Sequence, residues 1–318
     1  MKKLPVDNLS FVEIGGVGEM IYRAIRFPEY VPEEDDELIK PVFSGINAPT
    51  INDEYNRGLT GQELLISLIN LYRKLNRPFN REPIAWLISR WCKDNIHPYE
   101  IEGLYELLES EIYAHVTYDF LFTLDGTFVV KDFTDDLYKL GRVFDFYFAL
   151  KRLKEYGETE HARELYYEGR LCDGFPFFER YRSIESDEEY REKVMVDFDH
   201  LTNKLLDLFP DFNMRLKLDK KTSKVMFGAD IQSVFDIAWY TLSRLVADVA
   251  PSLDDDLRYF ESQGSVLSCL ACGEYFVRHS GRQLYCQSEN CQAERNRKNR
   301  RASYARKKAR ELDQKKKN

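Results

Sequence analysis

No stretch of this 318-residue chain approaches the ~20 consecutive apolar residues that a membrane-spanning helix needs. The opening Met1-Lys2-Lys3-Leu4-Pro5-Val6-Asp7 has two lysines but no apolar region behind them, so it does not read as a secretion signal. A cytoplasmic, bacterial protein without a membrane partner is the expectation. Catalytic signatures are also scarce. His97, His115, His161 and His200 form no H-E-x-x-H pattern, and neither a P-loop nor a nucleophile elbow is present. Three glycines in Val12-Glu13-Ile14-Gly15-Gly16-Val17-Gly18 lack the dinucleotide-binding order and read as a strand running into a turn. No internal repeat of 20–50 residues is visible, which excludes solenoids and propellers. Cysteine is sparse, at six residues.

What is present is a globular body. Hydrophobic residues make up 43% and aromatic residues 14%, enough for a substantial aromatic core. Periodicity of three and four dominates, so the expected fold class is mainly α, or α+β with small hairpins. Thr60-Gly61-Gln62-Glu63 is a capping box ahead of Leu64, Leu65, Leu68, Leu71, Tyr72 and Leu75. A second helix is expected over 82–92, with Ile84, Leu87, Ile88 and Trp91 inward, and a third after Pro98. Asp125-Gly126 marks a local hairpin over 120–130. A long helix covers 132–154, a shorter one 159–169, and a continuous amphipathic one 186–209, capped by Ser186 with Glu189. A hairpin flanks 219–222, and a helix over 230–249 ends before Pro251.

Charge is divided unevenly. The net value of −8 hides a basic end, because residues 277–318 carry fourteen Lys/Arg against four Asp/Glu. The rest of the chain therefore stands near −18. An acidic body with a dense basic tail is the asymmetry expected where one end meets a polyanion.

Four of the six cysteines fall in one window, Cys269-x₂-Cys272-x₁₃-Cys286-x₄-Cys291. In a reducing cytosol this spacing points to one structural zinc ion held by four thiolates, rather than to disulfides. Gly273 follows Cys272 where a metal knuckle needs a tight turn. Residues 274–277 form a strand, Gln283-Leu284-Tyr285 returns the chain, and the second pair opens the next helix. Cys92 and Cys172 stand alone and read as packed residues.

Residues 293–312 contain no helix breaker and almost no apolar stripe, so they form an exposed basic helix. Its Arg295, Arg297, Lys298, Arg300, Arg301, Arg306, Lys307, Lys308 and Arg310, with Arg278 and Arg282 on the finger, are the candidate nucleic-acid contacts. Those nearest the cysteines are expected to read base edges, and those beyond to add phosphate attraction. No leucine zipper follows, so a zipper-type factor is excluded.

Cys269-x₂-Cys272-Gly273-x₂-Phe276, Ser280, Arg282-x₂-Tyr285-Cys286-x₄-Cys291 and the basic helix together resemble the CGNR zinc finger of ABATE-type bacterial proteins, described as stress-induced transcription regulators. The resemblance covers the C-terminal third. It departs from that family in its short first cysteine gap and in Gln292-Ala293-Glu294-Arg295 after the last cysteine. It implies a zinc-dependent DNA-binding regulator, with 1–262 as a helical sensor, effector or dimerisation domain and 263–318 as the finger. Nucleic acid is the expected partner, DNA ahead of RNA, together with a second copy of the chain through the helical body. The alternatives are an RNA-binding or mobile-element defence protein, and a toxin or nuclease. Pro210-Asp211 with Asp219-Lys220-Lys221 mimics a nuclease pattern, but it straddles a hairpin turn, and no catalytic residue is assigned.

Overall fold

The computed structural model describes residues 23–42, 50–53, 61–77, 81–99, 126–156, 184, 186–212, 214–219, 224–229, 231–246, 266–277, 280 and 283–317. Expected elements at 12–18, 101–115 and 159–169, the 120–125 part of the expected hairpin, and Cys172 lie outside these residues. The chain separates into two compact units, Met1–Ala250 and Pro251–Asn318. The sequence places this boundary at 262/263, within the undescribed residues 247–265.

The larger unit opens with strands that sequence periodicity does not announce. They are β1 (Arg23–Arg26), β2 (Glu29–Pro32), β3 (Leu38–Val42) and β4 (Thr50–Asp53). β1 pairs antiparallel with β4. β2 and β3 form a hairpin whose acidic turn places Asp36 at φ 57°, a left-handed conformation that Asp tolerates better than most residues. The Asp36 amide donates to the Glu33 carbonyl, and the Glu37 amide to the Asp35 carboxylate.

The helices follow as α1 (Gly61–Leu75), α2 (Ile84–Asp94), α3 (Val130–Tyr156), α4 (Asp187–Val196), α5 (Phe198–Leu206), α6 (Val234–Val246) and α7 (Glu289–Lys317). The mainly helical reading is correct. Strand β5 (Phe128–Val129) precedes α3, but it adds to β3 through Leu38↔Val129 and Ile39↔Phe128. The described half of the expected hairpin therefore serves a three-stranded sheet assembled across ninety residues of chain.

Helices α1, α3 and α6 build the core. Leu64, Leu65, Leu68 and Tyr72 of α1 are buried, with Leu137, Leu140, Phe144 and Leu150 of α3 and Val234, Phe235, Ala238, Leu242 and Leu245 of α6. Gly141 lets α3 approach α1, because a Cβ there would fall inside the Tyr72 ring. Gly61 faces Thr241 and Ile237 of α6 in the same way. Ser233 and Asp236 cap α6 reciprocally: the Asp236 amide donates to Ser233 Oγ, and the Ser233 amide donates to Asp236 Oδ2.

Two helical expectations need correction. Ile84 is 45% exposed, because it occupies the first turn of α2, before the buried face of Leu87, Ile88 and Trp91 is established. The amphipathic segment after Ser186 is not continuous. It breaks at Asp197, whose φ and ψ of −90° and 5° leave the helix. The Ser186 cap is present, with its hydroxyl accepting from the Glu189 amide at 3.5 Å. The later hairpin forms from β6 (Met214–Asp219) and β7 (Lys224–Ala229), with Asp219 opposite Lys224. That pairing puts Asp219 at the mouth of a turn, as the hairpin reading of this segment requires.

Beneath the sheet, His97 sits in an aromatic box. Its ring stacks on Tyr30 at 5.8 Å and meets Phe27 and Phe128 edge-on. Its amide donates to the Ile25 carbonyl at 2.6 Å, and Tyr30 Oη lies 3.2 Å from Nδ1. Burial depresses the imidazole pKa to about 3 and pushes the neighbouring Cys92 thiol well above its ordinary range. Cys92 is thus a packed core residue, as expected. His200 is exposed, while His115 and His161 lie outside the described residues.

Candidate metal centre and nucleic-acid interface

In the smaller unit, β8 (Val266–Ser268) pairs antiparallel with β9 (Tyr275–Val277), register Leu267↔Phe276. The sequence anticipates β9 as one strand of a short ribbon, with 283–285 returning the chain to the second cysteine pair. The partner of β9 precedes the first cysteine, and 284 supplies a single carbonyl, which accepts from the Leu270 amide at 3.1 Å. Between the two strands lies the knuckle. The Gly273 amide donates to the Cys269 carbonyl at 2.9 Å, and the Cys269 amide to the Glu274 carbonyl at 2.8 Å. Gly273 has φ 75°, a conformation that L side chains rarely adopt, which explains glycine at this position.

This folding brings Cys269, Cys272, Cys286 and Cys291 together, with all four sulfur atoms within 4.8 Å of one another. Cys272 Sγ and Cys286 Sγ are 3.9 Å apart. A tetrahedral site with metal–sulfur bonds of ~2.3 Å has edges of about 3.8 Å, so the set fits a metal with little movement. Two amides, of Ala271 and Cys286, donate to Cys269 Sγ at 3.5 and 3.3 Å. Burial opposes ionisation of Cys269, yet the surrounding amide donors outweigh it and bring its pKa to about 7. Burial raises the Cys272 thiol. A readily ionised Cys269 therefore lies beside a Cys272 thiol that resists adding further negative charge, a conflict a cation relieves. Among the described residues no other group of three or more His, Cys, Asp or Glu side chains converges in this way.

Among the side chains of this unit whose burial is described, Cys269, Tyr275 and Cys291 are buried. Two of those three are candidate ligands, so a metal would add cohesion at the buried centre of this cluster.

Helix α7 grows from the second pair, with Cys291 in its first turn. Gln292 fastens that turn to the knuckle: its Nε2 donates to the Cys286 carbonyl at 2.6 Å. Lys298 Nζ lies 5.8 Å from the centroid of the Tyr285 ring, a cation–π contact two turns along. Arg295 donates to Gln292 Oε1 at 3.1 Å, Arg306 to the Ala302 carbonyl at 3.3 Å, and Arg297 pairs with Glu294 at 2.9 Å. Arg295, Arg297, Lys298, Arg300, Arg301, Arg306, Lys307 and Lys308 are all exposed on α7. Arg310 lies on the same helix, with its side chain outside the described set, as are Arg278 and Arg282 altogether. The fastening roles of Gln292 and Tyr285 were not legible from spacing, because they depend on how the chain closes around the cysteines. No described helix is long and apolar enough to cross a membrane.

No family model, curated protein or solved structure matches the chain.

Proposed function

We propose that this protein is a zinc-dependent DNA-binding protein of the bacterial transcription-regulator type, in which a structural zinc on Cys269, Cys272, Cys286 and Cys291 anchors a basic recognition helix. The observation that carries this reading is the convergence of four cysteine sulfurs at the root of α7. Four thiolates in tetrahedral reach favour zinc over harder cations, which prefer oxygen. The metal fixes the start of a helix that cannot be buried, and the phosphate backbone is the partner that neutralises such a helix. The resemblance to CGNR-type fingers directs the reading toward transcription control, with the acidic, mainly helical unit as sensor, effector or dimerisation body. RNA is the alternative target for the same charge.

The test combines metal analysis with selection. Protein purified without added zinc should contain one zinc per chain, and it should enrich particular duplexes from pools of random DNA and RNA. A zinc content near zero, or no retention of either nucleic acid at physiological salt, would refute the reading. Preferential enrichment of RNA would transfer it to the alternative target.

A further inference from the structure

The cations of α7 are not equivalent once their contacts are considered. At about 100° per residue, Arg297, Arg300, Arg301, Lys307 and Lys308 fall within about 60° of the direction of Tyr304. Arg295, Lys298 and Arg306 point away from this arc. Those three are engaged locally, with Gln292, the Tyr285 ring and the Ala302 carbonyl. Within the arc only Arg297 has an intramolecular side-chain partner among the described residues, Glu294. Among the cations of α7 whose side chains are described, the uncommitted charge is therefore concentrated on one face, and an aromatic ring stands at its centre. Tyr304 is 71% exposed and is the sole aromatic residue of the helix.

Resting on the DNA-binding reading above, we infer that this arc is laid into the major groove of duplex DNA, with the Tyr304 ring against a thymine methyl group. The major groove is about 12 Å wide and admits one α-helix. Cations about 40–60° to either side of the central line then reach the phosphates of the two groove walls, while Arg297, about 20° from the line, reaches base edges. From Arg297 to Lys308 the arc runs about 17 Å, a length over which a straight helix can follow the groove. Glu311 interrupts the cationic run, which resumes at Lys315. The hydroxyl of Tyr304 can donate to a phosphate, but its ring carbons gain nothing there, and the apolar feature on the groove floor that suits them is the C5 methyl of thymine. Single-strand binding generally uses several aromatic platforms along a basic groove, and α7 offers one ring.

The experiment uses the full-length, zinc-loaded protein and the duplex it selects from a random 20-base-pair pool. Each thymine is replaced in turn by deoxyuridine, which removes only the methyl group. Replacement at one position should weaken wild-type binding about fourfold, the effect of one buried methyl. Tyr304→Ala should bind the parent duplex about fourfold or more weakly and lose its sensitivity at that position, whereas Tyr304→Phe should keep it. Arg295→Ala with Arg306→Ala should leave the thymine dependence intact. Zinc content and circular dichroism confirm that each variant is folded. Sensitivity to deoxyuridine that persists unchanged in Tyr304→Ala would overturn the inference while leaving DNA binding in place. So would uniform insensitivity in the wild type, or tighter binding of either single strand than of the duplex. Failure to select any duplex would remove the underlying reading as well.

Discussion

Acid should destabilise the larger unit through one side chain, His97. In the folded chain burial holds its pKa to about 3, against an ordinary 6.5. The groups facing it are Tyr30, whose pKa is raised, and the rings of Phe27 and Phe128, with the buried Cys92, its pKa also raised, beside Tyr30. None of these offers a negative charge to an imidazolium in this range. Below pH 6.5 the unfolded chain therefore takes up a proton that the folded chain refuses. The stability that His97 contributes as a neutral ring is complete above 6.5, declines as pH falls, and is exhausted near 3. At about 1.4 kcal/mol per unit, the full loss is about 5 kcal/mol and the loss at pH 4.5 about 3 kcal/mol. Replacing the residue by Phe fills the same box and abolishes the titration. The Tyr30 hydroxyl then lacks the ring nitrogen 3.2 Å away, which costs about 1–3 kcal/mol at neutral pH. Urea unfolding, followed by the fluorescence of Trp86, Trp91 and Trp239, measures both effects. Wild type should be the more stable at pH 7, and the gap to His97→Phe should shrink or invert by pH 4.5. Parallel pH profiles for the two proteins, or an NMR titration of the His97 ring near pH 6.5, would refute the reasoning.

Other perturbations follow from the same structure. Cys286→Ser with Cys291→Ser should remove bound zinc and lower the helical signal of α7, while the urea midpoint of the larger unit stays unchanged; loss of both together would mean that the units do not fold separately. Gly141→Ala should destabilise by about 1–3 kcal/mol, despite the roughly 1 kcal/mol gain in helix propensity, because the new methyl collides with the buried Tyr72 ring; an unchanged or higher urea midpoint would contradict the packing. Arg297→Ala, Arg300→Ala and Arg301→Ala together should reduce discrimination between selected and random duplexes. Deleting 311–318 should mainly flatten the salt dependence, by roughly 0.9 in log–log slope for each phosphate that is no longer neutralised. The reverse pattern, read by binding across a salt series, would exchange the two roles.

The sequence by itself determined whatever depends on near neighbours. Cys269 and Cys272 are set by one turn, with Gly273 supplying the left-handed residue, and Cys291 falls in the first turn of a helix whose Ala, Arg and Lys content favours it. The cysteine cluster and α7 were legible for that reason. So were the buried faces of α1, α3 and α6, since amphipathic helices repeat their inward residues at fixed spacing. Tertiary structure alone decided the rest. Strand β5 pairs with β3, so its hydrogen bonds are completed by residues ninety positions away. The isolated His97 became a buried, uncharged ring only when Tyr30, Phe27 and Phe128 closed around it. Ile84 faced water and Asp197 broke a regular pattern, although spacing gave no sign of either. The face of α7 that remains free was likewise unreadable from charge alone, because it was selected by which cations Gln292, Tyr285 and the helix's own backbone had already engaged.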